Sequence, residues 1–565
     1  MSPSPDRFIQ FWQELQRRRV IHVIIVYATA SFVIIELVNN VFEPLRLPDW
    51  TPTMVILVLI IGFPFAIIFS WIFDVSLKGI TKTEKATASD IDTTSENVSE
   101  FENSIAVLPF QDMSFEKTQE YFCDGMTEEI INVLSHVEGL KVIARTSAFM
   151  FKERHEDMRE IGKKLGVAHL LEGSIRKTEN RLRITAQLIK SEDGTHLWSE
   201  NFDRDLEDIF VIQDEISLAI VENLKARLPR SEKNTLLKHN TRESELYNLY
   251  LLGRFYTNKR NAESLNKAID YYQEAIGKDS NYALAYAGLS EAYTLSAIGY
   301  GSLHSKEAYP KSKEAALKAI ELDNELAEAH TSLAFVKQYF EFDWPAIERE
   351  WKRAIELNPG YAPAHQWYGE YLFIMKRWDE SYQEIKYALE LDPLSFIIET
   401  ELGWLYHYQH KLDLAIEQYN KVIEMAPDYA VVYFNLGIAY VNKKMKREAI
   451  EVAEKAVELS VGSPLMKAGL AYVYALSGDT ESAIEIRDEI INLTKSGIAL
   501  HGPLATVYVG LNEKEEAIKC LEIASQNWEN MSFLVRAWYE DYLGSDLLSD
   551  DPRFNNLQKK IGLEN

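Results

Sequence analysis

Apolar and polar positions are arranged in four different ways along the chain. Val20–Phe42 and Pro52–Phe73 are almost continuously apolar, each long enough for the roughly 20 residues a helix needs to cross a bilayer core. They predict a two-helix transmembrane hairpin over 20–74, closed by the short link EPLRLPDWT. Ahead of it, FIQFWQELQRRR sets Phe8, Phe11, Trp12 and Leu15 on one helical face, which reads as an amphipathic segment over 1–19 lying on the membrane surface. From 75 to 102 the pattern dissolves into Thr, Ser, Asp and Glu, a composition that buries too little to fold and reads as a flexible linker.

Between 103 and 229 short apolar runs alternate with amphipathic stretches. IAVLPF and LKVIARTSAF read as strands, Thr127–His136 and Asp157–Leu165 as helices. AHLLEGSIRK, RLRITAQLIK and THLWSENFDR read as three antiparallel strands parted by polar turns, with His169, His196 and Trp198 as sheet residues. Ile209–Leu228 closes the set as a long amphipathic helix, so the order β-α-β-α-β-β-β-α predicts one α/β sheet domain. Asp124-Gly125 followed by Thr127-Glu128-Glu129 reads as a capped helix start there. It lacks the glycine spacings that turn several amides onto a phosphate.

Over 243–543 the pattern is periodic. AIELNP (Ala354–Pro359), ALELDP (Ala388–Pro393), VIEMAP (Val422–Pro427) and AVELSV (Ala456–Val461) recur every 34 residues. Gly369, Gly403, Gly437, Ala471 and Ala505 keep the same period, as do Tyr406, Tyr440, Tyr474 and Tyr508 and Ala415, Ala449, Ala483 and Ala517. About eight helix pairs follow, with an insertion around Tyr300–Tyr309, and 544–565 predicts a C-terminal capping helix.

Charge narrows the function. The formal net charge of −26 repels phosphate backbones, so no nucleic-acid partner is expected. Two cysteines, Cys123 and Cys520, exclude a disulfide framework. No metal-binding or nucleophile motif occurs, so no catalytic residue, metal or cofactor is assigned. Arg17–Arg19 before the first span and Lys78, Lys82 and Lys85 after the second place the N-terminus and the soluble domains in the cytoplasm. The expectation is therefore a two-pass protein of a bacterial inner (plasma) membrane, with the lipid bilayer a partner through 20–74.

SIAVLPF, YFCDGMTEEIINVLSHVEGLKVIARTSAF, REIGKKLGVAHLLEGSIRK and RLRITAQLIKSEDGTHLWSENFDRDLEDIFVIQDEI together resemble the TolB-amino-terminal-like domain of bacterial proteins. The 34-residue array resembles the tetratricopeptide (TPR) repeat. The fold class expected is thus multidomain: a transmembrane hairpin, an α/β TolB-like domain and an all-α TPR superhelix. The TolB-like resemblance implies a fold without a reaction. The TPR resemblance implies a concave groove for a protein or peptide partner, lined by Phe335, Tyr339, Gln366, Glu370, Trp404, His407, Tyr408, Phe434 and Asn442. The family's clamp for a C-terminal carboxylate is not matched, since Gln366, Glu370, Thr400 and Trp404 stand where it needs Lys and Asn. Arg145-Thr146-Ser147, just past a strand, is the candidate contact for a small effector such as a nucleotide, set against a structural salt bridge. The leading reading is a membrane-anchored, non-enzymatic scaffold or signalling adaptor. The alternative is a sensor whose α/β domain binds an effector and regulates access to the groove. The sequence leaves the oligomeric state unknown.

Overall fold

The polar turns and alternating strands of the α/β segment fold as one mixed sheet, seen in a computed structural model. It describes residues 103–563 except 138, 155, 178–180, 206–208, 225–243, 298–302, 497 and 528–537. In the first 98 residues it describes only 31, 50, 53–55, 57–59, 63, 73–76 and 79–82. The chain divides into two units, Met1–Val98 and Ser99–Asn565.

In the first unit, β1 (Phe73–Ser76) pairs antiparallel with β2 (Gly79–Lys82). Among the described residues no helix is long and apolar enough to cross a membrane. This corrects the expected fold class at its first element. It also removes the two-pass inner-membrane placement inferred from that element. Phe73, expected to end the second span, instead opens a strand, and the supposed linker supplies that strand's partner. An apolar run is needed for a span, but it serves a paired strand or a packed element equally well. The 1–19 segment and all of 83–102 lie outside the described residues.

In the second unit the sheet order is β5-β3-β6-β7-β8, with β4 pairing β6 as well. The strands are β3 (Ser104–Val107), β4 (Gln111–Asp112), β5 (Lys141–Val142), β6 (His169–Lys177), β7 (Arg181–Lys190) and β8 (His196–Asp205). β3 runs parallel to β5 and β6, whereas β6, β7 and β8 form the expected antiparallel meander. Alternate β3 residues point to opposite faces. Ile105 and Val107 join one core with α1 (Glu120–Ser135) and α4 (Ile209–Asn223), and Ala106 and Leu108 another with α3 (Met158–Leu165).

Two local expectations change. α1 begins seven residues before Thr127, so Thr127 is not a cap. It lies inside the helix, accepts from the Phe110 amide at 3.0 Å and donates to the Cys123 carbonyl at 2.8 Å. LKVIARTSAF is a strand only at Lys141–Val142, and Arg145–Phe149 turns into the short helix α2.

Sixteen described helices, α5 to α20, follow in eight consecutive pairs. They are α5 (Ser244–Thr257), α6 (Ala262–Lys278), α7 (Ala283–Leu295), α8 (Ser305–Leu322), α9 (Ala327–Val336), α10 (Trp344–Leu357), α11 (Ala362–Ile374), α12 (Trp378–Leu391), α13 (Phe396–Tyr408), α14 (Leu412–Met425), α15 (Ala430–Asn442), α16 (Lys446–Leu459), α17 (Pro464–Ser477), α18 (Thr480–Lys495), α19 (His501–Gly510) and α20 (Lys514–Asn527). Tyr309, expected in the insertion, lies buried in α8. The column Ala415, Ala449, Ala483 and Ala517 is wholly buried, which explains its small side chains. A second column shows in the backbone alone: Phe342, Lys376, His410, Lys444, Gly478 and Asn512 all have positive φ. Each stands 34 residues from the next, at the turn between the helices of a pair. After the array come a π-helical turn (Trp538–Tyr542) and α21 (Pro552–Lys560).

Candidate functional site

The α/β domain is fastened to the array at its first pair and at its middle. At the first pair α1 lies against α5 so closely that a Cβ on Gly125 would stand 2.6 Å from Leu251 Cδ2. Glu128 of α1 is held there by the Arg254 guanidinium, by Asn258 Nδ2 at 3.1 Å and by Arg145 Nε at 3.4 Å; Arg254 also reaches Glu291 at 3.3 Å. Burial would raise the Glu128 carboxyl, but Arg254 and then Arg145 overcome it and hold the group below its ordinary range. Its neighbour Glu129 is pushed by burial up to about 7, against the pull of Arg254.

In the middle of the array the Ala144 amide donates to the Leu391 carbonyl at 2.7 Å. The Ser147 amide and hydroxyl both donate to Asp392, and the Leu394 amide donates to Ser147 Oγ at 2.8 Å. Burial lifts the Asp392 carboxyl to about 6 in spite of those donors. A third contact sets Asn358 Nδ2 3.3 Å from Asn132 Oδ1. Beside it Gly360 lies against Ser135, where a Cβ would come within 2.7 Å of the Ser135 carbonyl oxygen.

The C-terminal segment closes another side. Asn442 Nδ2 donates to the Tyr542 carbonyl at 2.7 Å, the Tyr542 hydroxyl donates to Asn435, and the Tyr542 ring lies 4.4 Å from that of His407. Arg553 pairs with Glu515 of the last helix pair at 2.9 Å, yet Trp344 Nε1 of the third pair donates to the Ile561 carbonyl at 2.7 Å. The tail therefore spans the concave side rather than covering the last pair alone.

Between domain, array and tail lies a cavity of about 910 Å³. The groove residues inferred from the sequence divide over it. Phe335, Tyr339, Gln366, Glu370, Trp404, Tyr408 and Phe434 line the cavity, whereas His407 and Asn442 do not and are engaged by the tail. Burial holds the His407 imidazole down at about 3, so it is neutral at ordinary pH. Arg145 and Thr146 also line the cavity; Ser147 does not, being fully buried as the anchor of Asp392. Arg145 is engaged on two sides, by Glu128 and by the Phe149 ring 4.0 Å beneath its guanidinium.

Sequence reasoning missed Glu401, Trp367 and Trp538, which share the lining. Glu401 is 6% exposed, accepts from Gln366 Nε2 at 2.6 Å through Oε1, and has a buried Oε2 with no hydrogen-bond partner. Glu370 accepts from the Tyr339 hydroxyl. Burial raises both carboxyls, and Glu370 adds to the rise at Glu401. The 34-residue register could have found Glu401, because Trp367, which shares the lining, stands 34 residues before it.

Comparison with known proteins agrees with the array. Residues 403–444 match the family model "TPR repeat", and 430–460 match "Tetratricopeptide repeat". The chain carries TPR repeats. Residues 101–218 match the model "HilA/YgeH-like transcriptional regulator, second domain", so the family named for this segment is not the TolB-like one. The chain is 38% identical over 231 residues to a Rhizobium meliloti protein named "Putative adenylate cyclase 3", over 41% of this chain and 39% of that one. It is 30% identical over 145 residues to the Salmonella typhimurium transcriptional regulator HilA, over 26% of each. The chain thus spans well under half the length of these relatives. Among solved structures, yeast Tom70 aligns with 63% of this chain and 82% of its own at 16% identity and a TM-score of 0.36. Pseudomonas aeruginosa pilF aligns with 39% and 95% at 20% identity and a TM-score of 0.31.

Proposed function

We propose that the chain is a non-enzymatic interaction scaffold that takes a protein or peptide partner on the concave wall of its TPR helices. The observation that carries this reading is that wall, where Phe335, Trp404 and Phe434 stand on the third, fifth and sixth helix pairs around one large cavity. Stacked helices with aromatic, weakly polar positions on one side suit an extended or helical peptide. The net charge of −26 argues against nucleic acid as the partner. Neither the catalysis named for the Rhizobium meliloti relative nor the transcriptional regulation named for HilA is proposed for this chain.

Site-specific photo-crosslinking in the full chain tests it. A photoreactive residue in place of Trp404 should capture a discrete protein in the native cell. The same residue in place of Leu414, which is exposed on the second helix of its pair, should capture none. Capture at 414 alone would remove the concave wall from the function.

A second reading, in which the α/β domain senses an effector and governs access to the wall, has its own support. Arg145 and Thr146 share one cavity with the groove residues, and Ser147 fastens the domain at Asp392. Weakening that fastening with Asp392→Ala should raise the capture yield at 404. An unchanged yield would leave the scaffold reading without regulation by the domain.

A further inference from the structure

Two carboxylates face the cavity without a cation. Glu370 and Glu401 are both in its lining, and among the described residues neither forms an ion pair. Their polar partners are the Tyr339 hydroxyl and the Gln366 amide, which leave Glu401 Oε2 buried and unpartnered. An isolated buried carboxylate is strongly unfavourable, and a buried pair more so, unless a positive group or a proton joins it. Around the pair stand aromatic rings: Phe335 lies 4.4 Å from Tyr339 and 4.6 Å from Trp367, with Trp404 in the same lining. Carboxylates among aromatic faces are the complement of an ammonium group carried on an apolar body. A phosphate is disfavoured, because the two carboxylates would repel it and Arg145, in the same lining, is already engaged by Glu128 and Phe149.

We infer that this cavity is a binding site for a small organic ammonium ion, its nitrogen between Glu370 and Glu401 and its apolar body against Phe335, Trp367 and Trp404. The inference goes beyond the sensor reading, because its contacts are array residues of the cavity that Arg145 and Thr146 share. A small molecule is favoured over the basic side chain of a bound peptide because the concave side is already bounded twice. The domain closes it at Leu391–Asp392, and the tail closes it at Asn442 and Trp344. A peptide reaches the wall once one of these closures opens, as the regulated reading has it, whereas a free amine enters with both in place.

Calorimetric titration of the full chain with phenethylamine, its trimethylammonium analogue and the near-isosteric neutral 2-phenylethanol tests this. The two cations should bind, and the alcohol should bind at least about tenfold more weakly. Glu401→Gln, checked for folding by circular dichroism, should weaken the cations by about tenfold or more and leave the alcohol unchanged. Should that variant fail to fold, Trp404→Leu serves, and it should weaken the trimethylammonium compound selectively. Equal binding of the alcohol, undiminished cation binding by the variants, or no cation binding at millimolar concentration overturns the assignment. Binding of the peptide acetyl-Gly-Lys-Gly-amide but of neither free cation transfers the site to a peptide. These titrations need no protein partner, so their failure is separate from a failure of the crosslinking.

Discussion

Gly403 shows how little room the repeat leaves at one residue. A Cβ there would stand 2.3 Å from Cε1 of Tyr419, which is itself wholly buried, whereas at Gly437 one repeat later the nearest atom is 3.4 Å away. Replacing a helical glycine by alanine gains about 1 kcal/mol of helix propensity where space allows. Overpacking a well-filled core costs about 1–3 kcal/mol. Gly403→Ala should therefore lower stability by up to about 2 kcal/mol, and Gly437→Ala should leave it unchanged or raise it slightly. Urea midpoints of the two variants decide this, and a stable Gly403→Ala would mean that the Tyr419 ring can swing aside. The positive-φ column is the other residue-scale constraint. Lys376, His410 and Lys444 hold a conformation that side chains other than glycine usually avoid, so the turn geometry outranks local preference there.

At the scale of elements, the junction of α2 with the α12–α13 turn hinges on one acid. Asp392 has its carboxyl raised to about 6 by burial, against an ordinary value of 3.8. A raised group contributes most below its unfolded value, and that contribution is lost as pH climbs through the folded one. Stability should therefore fall between about pH 4 and 6 by up to roughly 2–3 kcal/mol on account of this group. Asp392→Asn, which keeps an acceptor for Ser147, should gain on the parent over that window; parallel curves for the two proteins would refute the assignment to Asp392. The same junction marks where the sequence stopped being legible. The meander β6–β8 and the helix pairs were readable because strand alternation, turn residues and a 34-residue period are local signals. Thr127 looked like a cap because Asp-Gly-x-Thr-Glu-Glu satisfies a local rule, yet the helix starts earlier and the acids face Arg254 across to the array. Arg145-Thr146-Ser147 looked like the end of a strand, and its conversion to a helix follows from anchors some 245 residues away at Asp392. No local pattern carries that distance. The apolar stretch ending at Phe73 failed for a related reason, since hydropathy records a wish for burial without saying in what.

For the molecule as a whole, the domain and the first repeats share a single core. Ile105, Met126 and Ile184 of the domain belong to the same buried cluster as Leu251, Leu265 and Tyr272 of the array. Leu394 joins the smaller core around α3. Leu251→Ala, at the contact with Gly125, should cost about 2–5 kcal/mol. It should also accelerate hydrogen exchange in β6 and β7 together with α5 and α6; acceleration confined to the helices would show two independent folding units. The groove is thus walled by segments from both sides of the array in the chain, the domain before it and residues 538–563 after it. That order has a consequence during synthesis. The domain leaves the ribosome before the array, but Tyr542 and Ile561 emerge only after the residues they touch, His407, Asn442 and Trp344, have been made. For the time taken to translate the stretch up to 561, the aromatic wall stands uncovered on that side, and a chaperone or a partner met in that interval competes with residues 538–563.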